Sequence, residues 1–169
     1  MLKGIGILLI VLAGVGGGVA AFLDLNRRAA NLETARRLIG WMASRIRYTA
    51  APIQEIAAAA AKEPEFSRLL FLKEAAARMQ QGDSPGDAWD KALKGCDSGG
   101  LKETDKTLLQ NFGRGLGCSD LDGQLAHCES FGAMLDGCVQ SAKQEAASKG
   151  KLYVTLGVAG GLGAALLLL

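Results

Sequence analysis

One histidine and four cysteines are the residues of this chain best suited to chemistry. The histidine is His127, and the cysteines are Cys96, Cys118, Cys128 and Cys138. No two cysteines form a C-x-x-C pair, so these residues do not give a zinc-ligand pattern at the usual spacing. An even number of cysteines permits two disulfides, as in a small secreted domain, but no other feature of the chain indicates secretion. We therefore predict free, buried thiols in a reducing compartment.

Catalytic motifs are missing from the sequence. No G-x-x-x-x-G-K-[ST], H-E-x-x-H or G-x-S-x-G motif occurs. The glycines of the segment GRGLG, at 113–117, lie between predicted helices rather than after a strand, which argues against phosphate binding. The carboxylates are scattered among lysines and arginines, as on a solvated helix surface. We predict a protein that is not an enzyme and holds no cofactor and no metal, with His127 as a hydrogen-bonding packing residue.

The composition favours helices. Apolar residues make up 49% of the 169 residues but aromatic residues only 5%, and the apolar content is concentrated in alanine, leucine and glycine. Because alanine and leucine lose little entropy in a helix, whereas sheets favour β-branched and aromatic residues, the predicted fold class is all-α. The formal charge of +2 is too small for a nucleic-acid-binding surface, so no nucleic acid is expected as a partner.

Two apolar segments predict membrane anchors. Residues 4–23 carry no charge over 20 residues, which matches the roughly 30 Å of a hydrocarbon core at about 1.5 Å per residue, and residues 152–169 are 18 apolar or weakly polar residues. We predict an N-terminal transmembrane anchor at 1–24, a cytoplasmic helical bundle at 25–151 and a C-terminal transmembrane anchor at 152–169. A cleaved signal peptide is the alternative for the first segment, but the apolar run is longer than the apolar h-region of a typical signal peptide.

Basic residues flank both apolar segments. Arg27 and Arg28 follow the first, and Lys149 and Lys151 precede the second, so these four residues are predicted to lie at the membrane border. By the positive-inside rule, the middle of the chain is cytoplasmic and both termini lie outside. The lipid bilayer is thus the first expected partner.

Helix signals indicate an antiparallel bundle of about six helices, whose first and last helices extend into the transmembrane segments. Two apolar stripes with helical spacing predict its packed faces. One comprises Leu32, Ala35, Ile39, Met42 and Ile46, and the other Leu121, Leu125, Cys128, Gly132, Leu135, Val139, Ala142 and Ala146. The LLFL run at 69–72 is expected in the core. Predicted helix starts are marked by prolines or capping residues at Pro52, Pro64, Ser84-Pro85, Thr104 and Ser119.

The start of the last predicted helix carries a recognisable signature. The segment GLGCSDLDGQLAH, at 115–127, is followed by a K-x-Y-x-x-L-G pattern at 151–157. Earlier residues also fit, namely Ile46, Tyr48, Pro52, Ile53 and the segment GDSPGDAWDKAL. Through these residues the whole chain resembles the stage III sporulation protein AB family of endospore-forming bacteria.

The resemblance implies more than the residues do. It implies a cytoplasmic helical bundle similar to a domain of the inner-membrane platform proteins of type II secretion and type IV pilus machines. It also implies a place on the mother-cell side of the forespore membrane, in the channel between mother cell and forespore. The implied partners are a secretion-type ATPase, stage III sporulation protein AA, and other membrane proteins of the same operon. A homo-oligomer is a further possible assembly.

The expected function is therefore that of a membrane platform or scaffold, which couples a cytoplasmic ATPase to membrane partners. We predict the partner-binding residues within the signature, and they are Gly115, Gly117, Ser119, Asp120, Gln124 and His127. The alternative is a membrane-anchored helical sensor or adaptor unrelated to secretion.

Overall fold

The chain is all-helical in the residues that its computed structural model describes, which are 2–49, 51–97 and 99–167. Side chains are described between residues 16 and 150 within these ranges, and at a few positions outside them. Six α-helices and no strands occur in this described part, in agreement with the predicted fold class. The helices are α1 (Leu2–Thr49), α2 (Ile53–Ala60), α3 (Leu70–Gln80), α4 (Pro85–Gly95), α5 (Glu103–Gly115) and α6 (Leu121–Leu167), and a short 3-10 helix covers Pro64–Phe66.

The chain divides into two compact units. One unit comprises residues 1–29 and 140–169, and the other comprises Ala30–Val139. Helices α1 and α6 therefore contribute residues to both units, while α2 to α5 belong to the second one. Nowhere in the described part does a helix combine the length and apolarity needed to cross a membrane. The predicted transmembrane extensions are thus not confirmed, and most of their side chains lie outside the described residues.

The core of the second unit is built on the two predicted stripes. All five residues of the α1 stripe are buried, which confirms that prediction. In this unit the α6 stripe is buried from Cys128 to Val139, but its first residue, Leu121, is half exposed. Ala142 and Ala146, which belong to the other unit, are buried as well. Helix α4 packs on both α3 and α5, and α2 packs on α3. An aromatic cluster joins α3, α4 and α5, because the Trp89 ring lies 5.2 Å from Phe71 and 5.6 Å from Phe112, edge-on in both pairs.

The helix predicted to begin at Pro64 is interrupted. A 3-10 turn ends at Phe66, and α3 begins only at Leu70. This interruption allows both Phe66 and Leu69 to be buried. The LLFL run is therefore core except for Leu70, which is 54% exposed. The reason is helical periodicity, since the buried residues of α3 occupy one face and position 70 lies on the other.

Two of the three predicted caps need correction. Ser84 caps α4 as predicted, with its Oγ accepting the backbone N–H of Asp87 at 3.2 Å. Thr104 does not cap α5, which begins one residue earlier, and instead the buried Asp105 accepts the backbone N–H of Lys102 at 2.9 Å. The third predicted cap, at Ser119, belongs to the site described next.

All four cysteines are free thiols, as predicted. Their burial was only partly foreseen, because Cys128 is buried, Cys96 and Cys138 are half-buried and Cys118 is exposed. Burial raises the pKa of the Cys128 thiol to about 11.

Candidate partner-binding site

The buried side chain of Gln124 organises the junction between α5 and α6. Its Oε1 accepts the backbone N–H of Gly117 at 3.0 Å, and its Nε2 donates to the Gly115 carbonyl at 3.0 Å and to Ser119 Oγ at 2.9 Å. Gly117 has φ +76, a left-handed conformation that glycine adopts without strain. One side chain thus ties three residues of the junction to the first turn of α6.

His127 packs at the base of the same junction. Its Nε2 lies 2.9 Å from the Phe112 carbonyl oxygen, so the ring donates this hydrogen bond as the Nε2–H tautomer. The ring also stacks on Phe112 at 5.2 Å and contacts Phe131 at 4.6 Å. Gly115 lies against this ring, where an added Cβ would come within 2.2 Å of the imidazole. His127 is therefore a hydrogen-bonded packing residue, as the sequence predicted.

Asp120, rather than Ser119, caps α6. The helix begins at Leu121, and Asp120 Oδ1 accepts the backbone N–H of Gly123 at 3.0 Å. Ser119 Oγ instead accepts from Gln124. The shift of the cap by one residue follows from Gln124, because its amide holds Ser119 outside the helix. A carboxylate at the N-cap also has favourable electrostatics with the helix dipole.

A groove opens beside this capped helix start, and we call it the junction groove. It has a volume of about 440 Å³. Its walls come from the end of α1, the start of α2, the first residue of α4 and the α5–α6 junction. Its described lining residues are Ile46, Ala51, Pro52, Ile53, Gln54, Pro85, Gly117, Ser119, Asp120, Leu121 and Gln124. Three segments that carry the family resemblance, separated in sequence, therefore meet at one surface.

The six predicted partner-binding residues divide into two groups. Gly115, Gln124 and His127 have internal roles, since they shape and hold the junction, and Gly117 supplies its left-handed turn. Ser119 and Asp120 are exposed and line the junction groove. Sequence reasoning did not foresee the apolar walls of the groove. Leu121 in particular had been assigned to the buried stripe, and only the start of α6 at this residue leaves it open.

The predicted membrane-border residues lie in the unit of residues 1–29 and 140–169. Arg28 is buried there and forms an ion pair with Glu145 at 2.9 Å. Glu145 Oε1 also accepts from Lys149 at 2.8 Å, and this hydrogen bond raises the pKa of Lys149. Arg27 is exposed, and the side chain of Lys151 lies outside the described residues. Sequence reasoning missed Glu145, which is the acid that holds two of these cations together.

Over the described residues, no three histidine, cysteine or carboxylate side chains are grouped so that they could hold a metal ion.

Comparison with known proteins gives one match, which is to a protein family. Neither the curated proteins nor the solved structures contain a significant match to this chain. The family model for stage III sporulation protein AB matches residues 3–169, and this match includes the junction groove and both predicted anchors. The chain therefore belongs to the stage III sporulation protein AB family.

Proposed function

We propose that this protein is a non-enzymatic, membrane-anchored scaffold of a sporulation complex, and that it couples a cytoplasmic secretion-type ATPase to membrane partners. Membership of the stage III sporulation protein AB family supports a role in sporulation. The platform role, the ATPase and the channel between mother cell and forespore are parts of the proposal. The location of the protein in the mother-cell-side forespore membrane, with its helical bundle in the cytoplasm, is also part of the proposal.

The observation that carries a protein-binding role is the junction groove. It combines apolar side chains, of which Pro52 and Leu121 are exposed, with a rigid frame, because Gln124, Gly117 and Asp120 fix the backbone at its edge. Preorganised concave surfaces of this kind suit the binding of a side chain from another protein, since little ordering entropy is lost on binding. Its residues also come from the segments that carry the family resemblance.

Membrane anchoring has separate support. Residues 4–23 are free of charge, and the unit of residues 1–29 and 140–169 exposes large apolar side chains on both of its helices. These are Val19, Phe22, Leu23, Leu152, Tyr153 and Leu156. Such exposure is unfavourable in water and favourable against lipid or an apolar partner. In sequence, Arg28 and Lys149 follow and precede these apolar segments, a position that the positive-inside rule favours for basic residues.

The scaffold role can be tested by capture of the ATPase. The full chain, with an affinity tag, would be produced in membranes together with stage III sporulation protein AA and purified in a mild detergent. We expect the ATPase to co-purify with this chain and not with an unrelated, equally tagged protein that has two membrane anchors. If the ATPase is not captured, even when the other membrane proteins of the operon are present, the sensor or adaptor interpretation replaces the scaffold.

The exposed thiol of Cys118 tests the membrane orientation. We expect a membrane-impermeant maleimide to leave Cys118 unlabelled in intact cells and to label it after permeabilisation. The Cys118→Ser variant identifies the labelled site, because the other three thiols are buried or half-buried. Labelling of Cys118 in intact cells would contradict a cytoplasmic bundle.

A further inference from the structure

We propose that the junction groove binds a second copy of this chain, through Leu70 and the two cations that flank it. This inference rests on the proposed protein-binding role of the groove and names its occupant. It predicts head-to-tail self-association of the scaffold.

The chemistry of the groove defines what fits it. Ile46, Pro52, Ile53, Pro85 and Leu121 give it apolar walls. Among its described lining residues, Asp120 is the one that carries a charge. The nearby arginines line other surfaces, since Arg45 stacks on Trp41 at 4.9 Å and Arg47 lines a trough between α1 and α6. The complementary ligand is therefore an apolar side chain next to a positive charge.

The start of α3 presents such a ligand. Leu70 is 54% exposed, while its neighbours Leu69 and Phe71 are buried and hold it in place. Arg68 and Lys73 are exposed on either side, and within the described residues neither forms an ion pair. Glu74, which follows Leu70 by one helical turn on the same face, is paired with Arg78 at 2.7 Å. Leu70 is thus a rigid apolar projection flanked by the positive charges of Arg68 and Lys73.

The path of the chain separates the projection from the groove. The chain leaves the groove at Ile53 along α2, and it returns at Pro85 after α3 and the turn at Gly82. Helix α2 alone has eight residues, or about 12 Å of helix at the usual rise. Leu70 therefore lies at the far end of this hairpin and does not reach its own groove. Contact between such unlike surfaces is heterologous, and repeated contact forms a ring or a filament.

Other exposed apolar residues of the same unit fit less well. Met134 stands two residues before an acid, Asp136, which is ion-paired with Arg36 at 3.0 Å, so this projection lacks the unpaired cations that flank Leu70. Tyr48 is 81% exposed and stands beside Arg47, but in sequence it lies between Ile46 and Ala51, which both line the groove. Insertion of Tyr48 would give a two-fold dimer instead of a head-to-tail assembly. The variant Tyr48→Ala is therefore the matched control for changes at Leu70.

Sedimentation of the purified full chain in detergent over a range of concentrations tests the proposal. We expect association that rises with concentration in the unchanged chain and in Tyr48→Ala. Leu70→Asp removes the projection, and Leu121→Lys places a cation in the groove, so each variant alone should stay monomeric. Helicity measured by circular dichroism should be unchanged, because both residues are exposed first residues of helices.

A mixture of these two variants provides the decisive measurement. Leu121→Lys retains an intact Leu70, and Leu70→Asp retains an intact groove. Head-to-tail contact therefore predicts a one-to-one complex in the mixture that grows no larger. A two-fold dimer through either surface would leave one of the variants dimeric by itself and would give no complex between the two variants. This result would overturn the proposal.

The role of the Asp120 charge can be separated from its role as a cap. Asparagine caps a helix about as well as aspartate, so Asp120→Asn should keep the melting temperature while removing the charge. We expect self-association about 2- to 5-fold weaker, as for other exposed charge pairs. Salt should weaken association of the unchanged chain more than that of Asp120→Asn, because screening acts on the charge pair.

Two results would place a different occupant in the groove. If Tyr48→Ala, and not Leu70→Asp, abolishes association, the contact is two-fold through Tyr48. If the chain stays monomeric and Leu121→Lys loses only capture of the ATPase, the groove binds the ATPase, and the proposed scaffold function stands without self-association. Failure of ATPase capture with intact self-association would instead remove the proposed coupling and retain this inference.

Discussion

Gln124 and Gly117 form the hydrogen bond that closes the α5–α6 junction, with the amide oxygen of Gln124 accepting the Gly117 N–H at 3.0 Å. The other end of the same amide holds Gly115 and Ser119. Because Gln124 is only 5% exposed, its polar atoms have little access to water when a partner is removed. The junction therefore depends on an amide, which offers both an acceptor and a donor.

Two replacements of Gln124, by alanine and by glutamate, should both lower the stability of the chain. We expect Gln124→Ala to lower the free energy of unfolding by about 1–3 kcal/mol, since buried hydrogen-bonding groups lose their partner. Gln124→Glu retains the acceptor for Gly117 but places a carboxylate against the Gly115 carbonyl, so it should not restore stability. Chemical denaturation of both variants measures this. If Gln124→Ala had the same denaturation midpoint as the unchanged chain, water would be able to replace the hydrogen bonds of the amide.

Gly115 and Gly137 give a matched pair of helical glycines. An added Cβ at Gly115 meets the His127 ring within 2.2 Å, whereas one at Gly137 meets nothing within 4 Å. Gly115→Ala should therefore destabilise by about 1–3 kcal/mol through overpacking. Gly137→Ala should stabilise by up to about 1 kcal/mol through helix propensity. Thermal unfolding of both variants is the measurement.

The double variant Gly115→Ala/His127→Ala isolates the clash. His127→Ala loses the stacking of the ring on Phe112 and its hydrogen bond to the Phe112 carbonyl, but it also makes room for the methyl group added at Gly115. The double variant should thus be more stable than the sum of the two single effects implies. Strict additivity would mean that the strain at Gly115 does not come from His127.

The raised pKa of Cys128 predicts a loss of stability at alkaline pH. Burial moves the pKa of this thiol from 9.0 to about 11, so between these values the folded chain holds a proton that the unfolded chain has lost. The free energy of unfolding should therefore fall as the pH rises from about 9 to about 11, by about 2–3 kcal/mol in all.

Cys128→Ala supplies the comparison for this pH dependence. It lacks the titrating group, so its stability should fall less over the same pH range, whatever its stability at neutral pH. Urea unfolding of both chains at several pH values measures the difference in slope. Equal slopes would contradict burial of the thiol, as would equally fast maleimide labelling of Cys128 and the exposed Cys118.

The ion pair between Arg28 and Glu145 should contribute to stability, unlike the exposed pairs. Arg28 is 6% exposed, and loss of a hydrogen bond to a buried charged group costs about 1.5–3 kcal/mol. We expect Glu145→Gln to lower the stability of the full chain in detergent by this amount. The control is Glu103→Gln, because Glu103 is 87% exposed and its pair with Lys106 should contribute less than about 1 kcal/mol. Equal effects of the two changes would show that Arg28 is adequately solvated without Glu145.

Local sequence signals were reliable where helical spacing or the chemistry of a side chain determines the outcome. The stripe from Leu32 to Ile46, the cap at Ser84 and the packing role of His127 all follow from spacing or from side-chain chemistry, and all are confirmed. Signals failed where the start of a helix depends on which nearby side chains are hydrogen-bonded or buried in the folded chain. The amide of Gln124 moved the cap of α6 from Ser119 to Asp120, and burial of Phe66 and Leu69 delayed the start of α3.

The sequence by itself determined the all-helical class, the buried stripes and the family, because helical periodicity and signature segments are properties of the chain order. Only the tertiary structure decided that Ile46, Ile53, Pro85 and Asp120 meet around one groove while Leu70 stands apart from it. These residues are separated by turns whose geometry depends on which side chains are buried together. A one-dimensional pattern contains the residues of such a surface, but their convergence is set by packing.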